Sequence, residues 1–426
     1  MSELLHADAP GTPVKRLWNR NFILLTQGQF VSLVGSQAFF VAVSFWIAEA
    51  TGSPGLLGTL LMIALLPGLL FTPFGGAIAD RYSRLGLVIA GDLIRGAAIT
   101  AVGVIHLSGA SVDAKVIAIT IAMAVSGLVG AFFQPAITAM IPDLVPPNRL
   151  ASAHSAGQVS AQVASIIGQA AGGMLYRLLG APALILLNGI GFFLSAGSET
   201  FIRSRVGTAR GAGTERLSAA GEIREGMAWV RDQPGMIEFL LAAAALNFFM
   251  APLIALLPFY VTDQLGADAQ WYGFLVATLS GGSILGSILA GLIQLGGQAR
   301  ARALVVLFAA APLFLSALGA THLRLVALLL VLSAGACAAF INVNVFAQIQ
   351  RMTPNALRGR VISLVLLLAG GAAPLGMAAG GLVTQASHGR VSVTFVASGV
   401  FAAILGTLLL TRSRPQKFMA EETVRQ

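Results

Sequence analysis

Asp92 and Arg95 are the only ionisable pair that stands deep inside an apolar stretch of this chain. Their spacing of three places both on one face of a helix. At about 1.5 Å per residue, Asp92 lies roughly 10 Å into a span that begins near residue 86. Charge at such a depth marks function by default. Two roles stay open: Asp92 takes up and releases a proton with Arg95 modulating it, or the pair is a structural brace beside Asp80. A second pattern is uncharged. Ser155, Gln158, Gln162, Ser165 and Gln169 recur in steps of three and four, so all five share one helical face. Amides and hydroxyls facing lipid are costly, so this face is expected to look into a bundle. It either lines a wet substrate cavity or makes hydrogen bonds between helices. Gln29, Ser32, Ser36, Asn247, Asn342, Asn344 and Gln348 extend the set of cavity candidates.

Other chemistries find no residues. The five histidines, His6, His106, His154, His322 and His388, are scattered at or near loops and show no metal-ligand spacing. No nucleophile stands beside a base, and no Gly-Lys-Ser/Thr loop cradles a phosphate. The expectation is therefore a non-enzyme with no metal and no cofactor. Glu49, Asp263, Glu199 and Glu238 lie near the ends of apolar stretches, and none lies near a midplane. A proton-coupled reading then needs an end-of-helix carboxylate, or coupling of another kind.

These side chains are carried by twelve apolar stretches, expected at 21–48, 55–79, 86–107, 115–140, 150–176, 182–202, 236–262, 270–297, 303–320, 324–350, 360–386 and 391–411. A helix needs about 20 apolar residues to cross a bilayer core of roughly 30 Å. The stretches are apolar nearly all round, where a soluble helix would keep one polar face. Composition agrees: 56% of the chain is hydrophobic and 10% charged, against about 25% charged in soluble domains. The 49 glycines suit close helix packing in lipid. The net charge of +9 is read as topology, with lipid and no nucleic acid as partner. The single Cys337 reads as a small core residue, and no cleavable signal peptide is expected.

Alternate connectors differ in charge. Of the 26 basic residues, 21 fall on one side, leaving Lys115, Arg177, Arg324 and Arg390 on the other and Arg95 within a span. The positive-inside rule places that richer side, both termini and the middle loop in the cytoplasm, making a multi-pass protein of the inner (cytoplasmic) cell membrane. The expected divisions are a cytoplasmic N-terminal segment (1–20), a six-helix bundle (21–202), a linker (203–235), a second six-helix bundle (236–411) and a cytoplasmic tail (412–426). Within the linker, Leu217, Ala220, Ile223, Met227 and Val230 predict an amphipathic helix over 215–231. Pro147-Asn148-Arg149-Leu150 returns as Pro354-Asn355-Ala356-Leu357 at a matching place in the second half, a faint trace of duplication.

The connector Gly75-Gly76-Ala77-Ile78-Ala79-Asp80-Arg81-Tyr82-Ser83-Arg84 resembles the signature loop of the major facilitator superfamily, which lies between the second and third helices. Ser83 and Leu85 depart from it, where Gly and a basic residue are common. The resemblance implies a gate built on Gly76, Asp80, Arg81 and Arg84. Asp80 would hold the N-terminal end of span 11, and Arg81 and Arg84 would tie the two halves together. Pro135-Ala136, then Ile141-Pro142-Asp143-Leu144-Val145-Pro146, resembles the macrolide-efflux and enterobactin-exporter branch of the drug:proton antiporters. Gln348-Ile349-Gln350-Arg351-Met352-Thr353-Pro354 and Glu222-Ile223-Arg224-Glu225-Gly226-Met227 resemble it too. Gly168-Gln169-Ala170-Ala171-Gly172-Gly173 resembles the antiporter motif of the fifth helix, with Gln169 in place of Pro; Gly168, Gly172 and Gly173 would let helices pack tightly.

The expectation is thus an all-α membrane protein of twelve spans in two pseudo-symmetric bundles. It would export an amphipathic small molecule, a drug, macrolide or siderophore-like compound, by proton antiport and alternating access, acting as a monomer. A lysophospholipid flippase is the alternative reading, and a small-nutrient importer the third.

Overall fold

A computed structural model describes residues 16–203, 219–293, 295–354 and 357–420. Among them all regular structure is helical. The helices are α1 (Arg20–Thr51), α2 (Pro54–Arg81), α3 (Arg84–Leu107), α4 (Val112–Leu144), α5 (Leu150–Glu199), α6 (Ala219–Asp232), α7 (Met236–Phe259), α8 (Ala269–Leu292), α9 (Gly297–Ala320), α10 (Arg324–Met352), α11 (Arg358–Gly370), α12 (Ala372–Ala386), α13 (Val391–Leu410) and α14 (Ser413–Ala420). Short polar caps punctuate them. Ser83 Oγ accepts from the Gly86 N–H and Ser111 Oγ from the Ala114 N–H, each meeting a donor that the helix start leaves open.

Eleven helical segments among the described residues are long and apolar enough to span a bilayer. One of them, Ser152–Glu199, holds 48 residues. At about 1.5 Å per residue it would reach roughly 70 Å, more than twice a bilayer core. Gly180 resolves this. Its φ of 75° and ψ of 171° break α5 into two runs with almost no loop between them. Only glycine takes such a conformation without strain. Counting both runs gives twelve spans.

Several boundaries moved. The expected span 303–320 begins earlier, at Gly297, because Arg300 and Arg302 form the first turns of α9 instead of a loop. The expected linker helix over 215–231 appears as α6, Ala219–Asp232; Leu217 lies outside the described residues. Asn355 and Ala356 of the second repeat segment also lie outside them. The tail read as 412–426 contains a helix, α14, whose Phe418 and Met419 are buried.

The described residues form two compact units, one of 16–46 and 63–203, the other of 47–62 and 219–420. In the first, α1 is the organising helix. A Cβ on Gly172 of α5 would come 2.9 Å from Ala38 Cα, so the two backbones touch there. Gly168 meets Val34 and Gln37 on the same helix. The second run of α5 descends the other way along α1: Gly35 faces Asn188, and Gly28 faces Ser195 and Ser198. The two runs of α5 are therefore antiparallel and flank α1 as a hairpin. Gly68 and Gly75 of α2 lie against Gly127 and Ala131 of α4. Gly96 and Gly103 of α3 take Phe193 and Leu186 of the second α5 run. At the Arg84 end, Asn21 and Arg203 exchange two hydrogen bonds of 3.1 Å, and Phe22, Leu25, Met140, Leu144 and Ile202 pack together.

The second unit repeats this pairing. Gly376 and Gly380 of α12 lie on Phe248 and Pro252 of α7, Gly282 and Gly286 of α8 on Leu332 and Ala336 of α10, and Gly319 of α9 on Phe395 of α13. First with fifth, second with fourth and third with sixth is the same contact plan in both units. A core of Met236, Phe239, Phe308, Ile349 and Phe418 closes one end. There Arg300 Nε donates to the Met419 carbonyl and Gln348 Nε2 to the Phe418 carbonyl, both at 2.9 Å, so α14 is stitched onto α9 and α10.

Candidate functional site

The signature-like loop is compact. Helix α2 runs through Arg81, a two-residue turn follows, and Arg84 opens α3. The side chains of Gly76, Asp80 and Arg81 lie outside the described residues. Arg84 Nη1 donates to Asp143 Oδ2 and to the Ala139 carbonyl, each at 2.8 Å. Arg84 thus binds α4 of its own unit, because the first residue of α3 sits beside the last turns of α4. Both side chains are about a third exposed, 31% and 32%, so the pair is worth at most about 1 kcal/mol.

Below the loop lies a second and drier cluster. Asp92 is fully buried, and Arg95 Nη2 donates to its Oδ1. The Arg95 guanidinium lies 3.8 Å from the Phe133 ring centre on α4 and 4.8 Å from that of Phe192 on α5. Desolvated cation–π contacts of this kind are worth about 2 kcal/mol. The pair does not stand alone, as the sequence suggested. Glu199, read there as an end-of-helix residue, is also fully buried. Its Oε1 accepts from Gln29 Nε2 at 3.0 Å and from Ser195 Oγ at 3.4 Å. Ser195 also reaches Asp92, and both Asp92 and Arg95 interact electrostatically with Glu199. Asp92 Oδ2 and Glu199 Oε2 are buried with no hydrogen-bond partner among the described residues. Helices α1, α3, α4 and the end of α5 thus enclose two carboxylates and one guanidinium.

Gln29, a cavity candidate, is half-buried and spends its amide N–H on Glu199. Ser32 is buried and donates to the Gln29 carbonyl; half-buried Ser36 donates to the Ser32 carbonyl. Gln348 is corrected from cavity lining: it is 2% exposed and anchors α14. Its position late in α10 faces the buried end of the second unit, where a carbonyl needed a donor.

The α5 stripe behaves differently. Ser155, Gln158 and Gln162 are exposed, and Ser165 and Gln169 half-buried, with Gln169 donating to Ser165 at 2.9 Å in the same helix. The stripe is thus not packed inside its own unit. Asn247 and Asn342 are exposed and Asn344 half-buried; Asn247 and Asn344 donate to carbonyls four residues back. Gly168, Gly172 and Gly173 are buried, the first two on α1.

Twelve spans in two units with one contact plan define a multi-pass membrane transporter of duplicated build. The sequence model of the Major Facilitator Superfamily matches residues 25–373 and, in an overlapping second match, 239–423. The chain belongs to this superfamily, a family of transport proteins and not of enzymes. It is 26% identical over 281 residues to macrolide efflux protein A of Streptococcus pyogenes, covering 65% of this chain and 67% of that one. It is 23% identical over 404 residues to the uncharacterized MFS-type transporter YfiS of Bacillus subtilis, covering 92% and 93%. Its fold is similar to that of the nucleoside transporter NupG, with a TM-score of 0.76 and 10% identity over 92% of this chain and 100% of the other.

Proposed function

We propose that this protein expels an amphipathic small molecule, of the macrolide or siderophore-like kind, from the cytoplasm by proton antiport and alternating access. The observation that carries this reading is the similarity to macrolide efflux protein A over two thirds of both chains. The accessible amide and hydroxyl stripe of α5 supports it, since Gln158, Gln162 and Gln169 offer hydrogen bonds without fixed charge. A doubly charged or phosphorylated cargo would call for Arg or Lys there. In this reading Asp80 and Arg81 act as gate residues and both termini lie in the cytoplasm of an inner-membrane protein, which the Arg-rich connectors support through the positive-inside rule.

The test is expression in a bacterium lacking its own drug pumps. Cells carrying the chain should tolerate several-fold more erythromycin and accumulate less of the labelled drug. Equal accumulation, with the protein shown in the membrane, rejects the macrolide reading. If lysophospholipid instead crosses between leaflets in vesicles holding the purified protein, the lipid alternative replaces it.

A further inference from the structure

The buried cluster in the first unit has more acid than base. Asp92 and Glu199, both fully buried, face one guanidinium, Arg95, whose side chain is 13% exposed, so with all three ionised the site carries a charge of −1 in a largely buried place. A buried charge lacking a partner is strongly disfavoured. Among the described residues, the other groups that hydrogen-bond to Glu199 are neutral: Gln29 from α1, and Ser195 from its own helix. From α4 the site receives the Phe133 ring on Arg95. One carboxylate oxygen on each acid has no hydrogen-bond partner among the described residues.

The second unit shows that the fold itself does not ask for charge here. In both units a glycine lies on a hydroxyl at the third-with-sixth helix contact: Gly189 on Thr100, and Gly399 on Ser316. Eight residues before Thr100 is Asp92, and eight before Ser316 is Phe308, buried in an apolar core. Three residues on, Arg95 corresponds to Ala311. Ten residues beyond each glycine, Glu199 corresponds to Leu409. The same architecture closes with apolar side chains in one unit and with three ionisable groups in the other.

We propose that Glu199 is a proton-binding carboxylate, working as one site with Asp92 and Arg95. A proton from water adds to Glu199 Oε2 and takes the cluster from −1 to neutral. When it leaves, both carboxylates draw on Arg95 across the contact between α3 and α5, and Gln29 passes the change to α1. The role in coupling rests on the export reading above; the proton site does not.

The site is tested by infrared difference spectroscopy of the purified full-length protein over a pH series. In the wild type, the carbonyl stretch of a protonated buried carboxyl should appear on acidification. It should be absent from Glu199→Gln. In Asp92→Asn it should remain and appear at lower pH, because the neighbouring negative charge is gone. A band that survives in Glu199→Gln and vanishes in Asp92→Asn puts the proton on Asp92 and overturns the proposal, as does a wild type without any such band. Should Glu199→Gln not fold, Gln29→Leu serves. Loss of the donor to Oε1 should move the midpoint to higher pH, and an unmoved midpoint overturns the proposal. No drug is present in this measurement. Proton uptake at Glu199 by a chain that fails to extrude erythromycin therefore keeps the site and rejects the export reading.

Discussion

Arg95→Met takes from two buried carboxylates the one cation that the described residues place beside them, while roughly keeping the side-chain length. Removing one partner of a buried ion pair costs about 3–5 kcal/mol, most of it from the charge left behind. Here the guanidinium also serves Glu199 and stacks near Phe133 and Phe192, which puts the expected loss at the upper part of that range. For a unit of this size each kcal/mol lowers the unfolding temperature by about 2–4 °C, so a drop of roughly 10 °C is expected. Tryptophan fluorescence in detergent can follow it, since Trp18 and Trp46 lie in the affected unit. The decisive comparison is Asp92→Asn/Arg95→Met. Removing the stranded charge along with the cation should restore about half of the lost stability. Equal melting of the single and double variants would show that the guanidinium contributes packing alone, and the electrostatic account of the cluster would fall.

Phe418→Ala should release α14. Such a truncation costs about 3–5 kcal/mol, an eight-residue helix has little stability of its own, and hydrogen exchange over 413–420 should quicken by roughly a hundredfold or more at tenfold per 1.4 kcal/mol; unchanged protection would refute the anchoring role of Phe418. Gly172→Ala and Gly157→Ala should have opposite signs. The first drives a Cβ to 2.9 Å from Ala38 and should destabilise, while the second meets nothing within 4 Å and should stabilise by about 0.5–1 kcal/mol through helix propensity; a loss in both would deny that the α1–α5 contact is selective. Asp80→Asn should abolish or greatly weaken drug extrusion with normal membrane insertion, and full extrusion by this variant removes Asp80 from the gate.

Much of the architecture was readable because one physical requirement, about 20 apolar residues per crossing, leaves its mark in sequence as length. The reversal within α5 was readable too: spans 150–176 and 182–202 were expected there, with Arg177 between them, and Gly180 breaks the helix between the two. What the sequence hid is how short the connector is, since the helix resumes almost at once after Gly180. Asp92 and Arg95 were readable as a pair, since a spacing of three fixes their face. Glu199 was not, for it stands next to a polar connector, where a carboxylate usually meets water. Its burial comes from Gly28, whose missing side chain lets α1 close over it, and from Gln29 beside it; that match of residues 170 apart has no local signal. Gln348 was misplaced for the same reason. An amide tells that a partner is needed, while its identity depends on which helix lies opposite.

The reversal at Gly180 bears on how the protein is made. A pair of spans joined by a single residue offers almost no soluble segment for the insertion machinery to thread, so the two runs must enter lipid together, already bent. Arg177, three residues before the bend, is the one strongly hydrated side chain this pair has to ferry, at a toll of about 2.5–3.5 kcal/mol were it left in mid-bilayer. Any residue with a β-carbon at 180 would first trouble biogenesis, and only later the finished transporter.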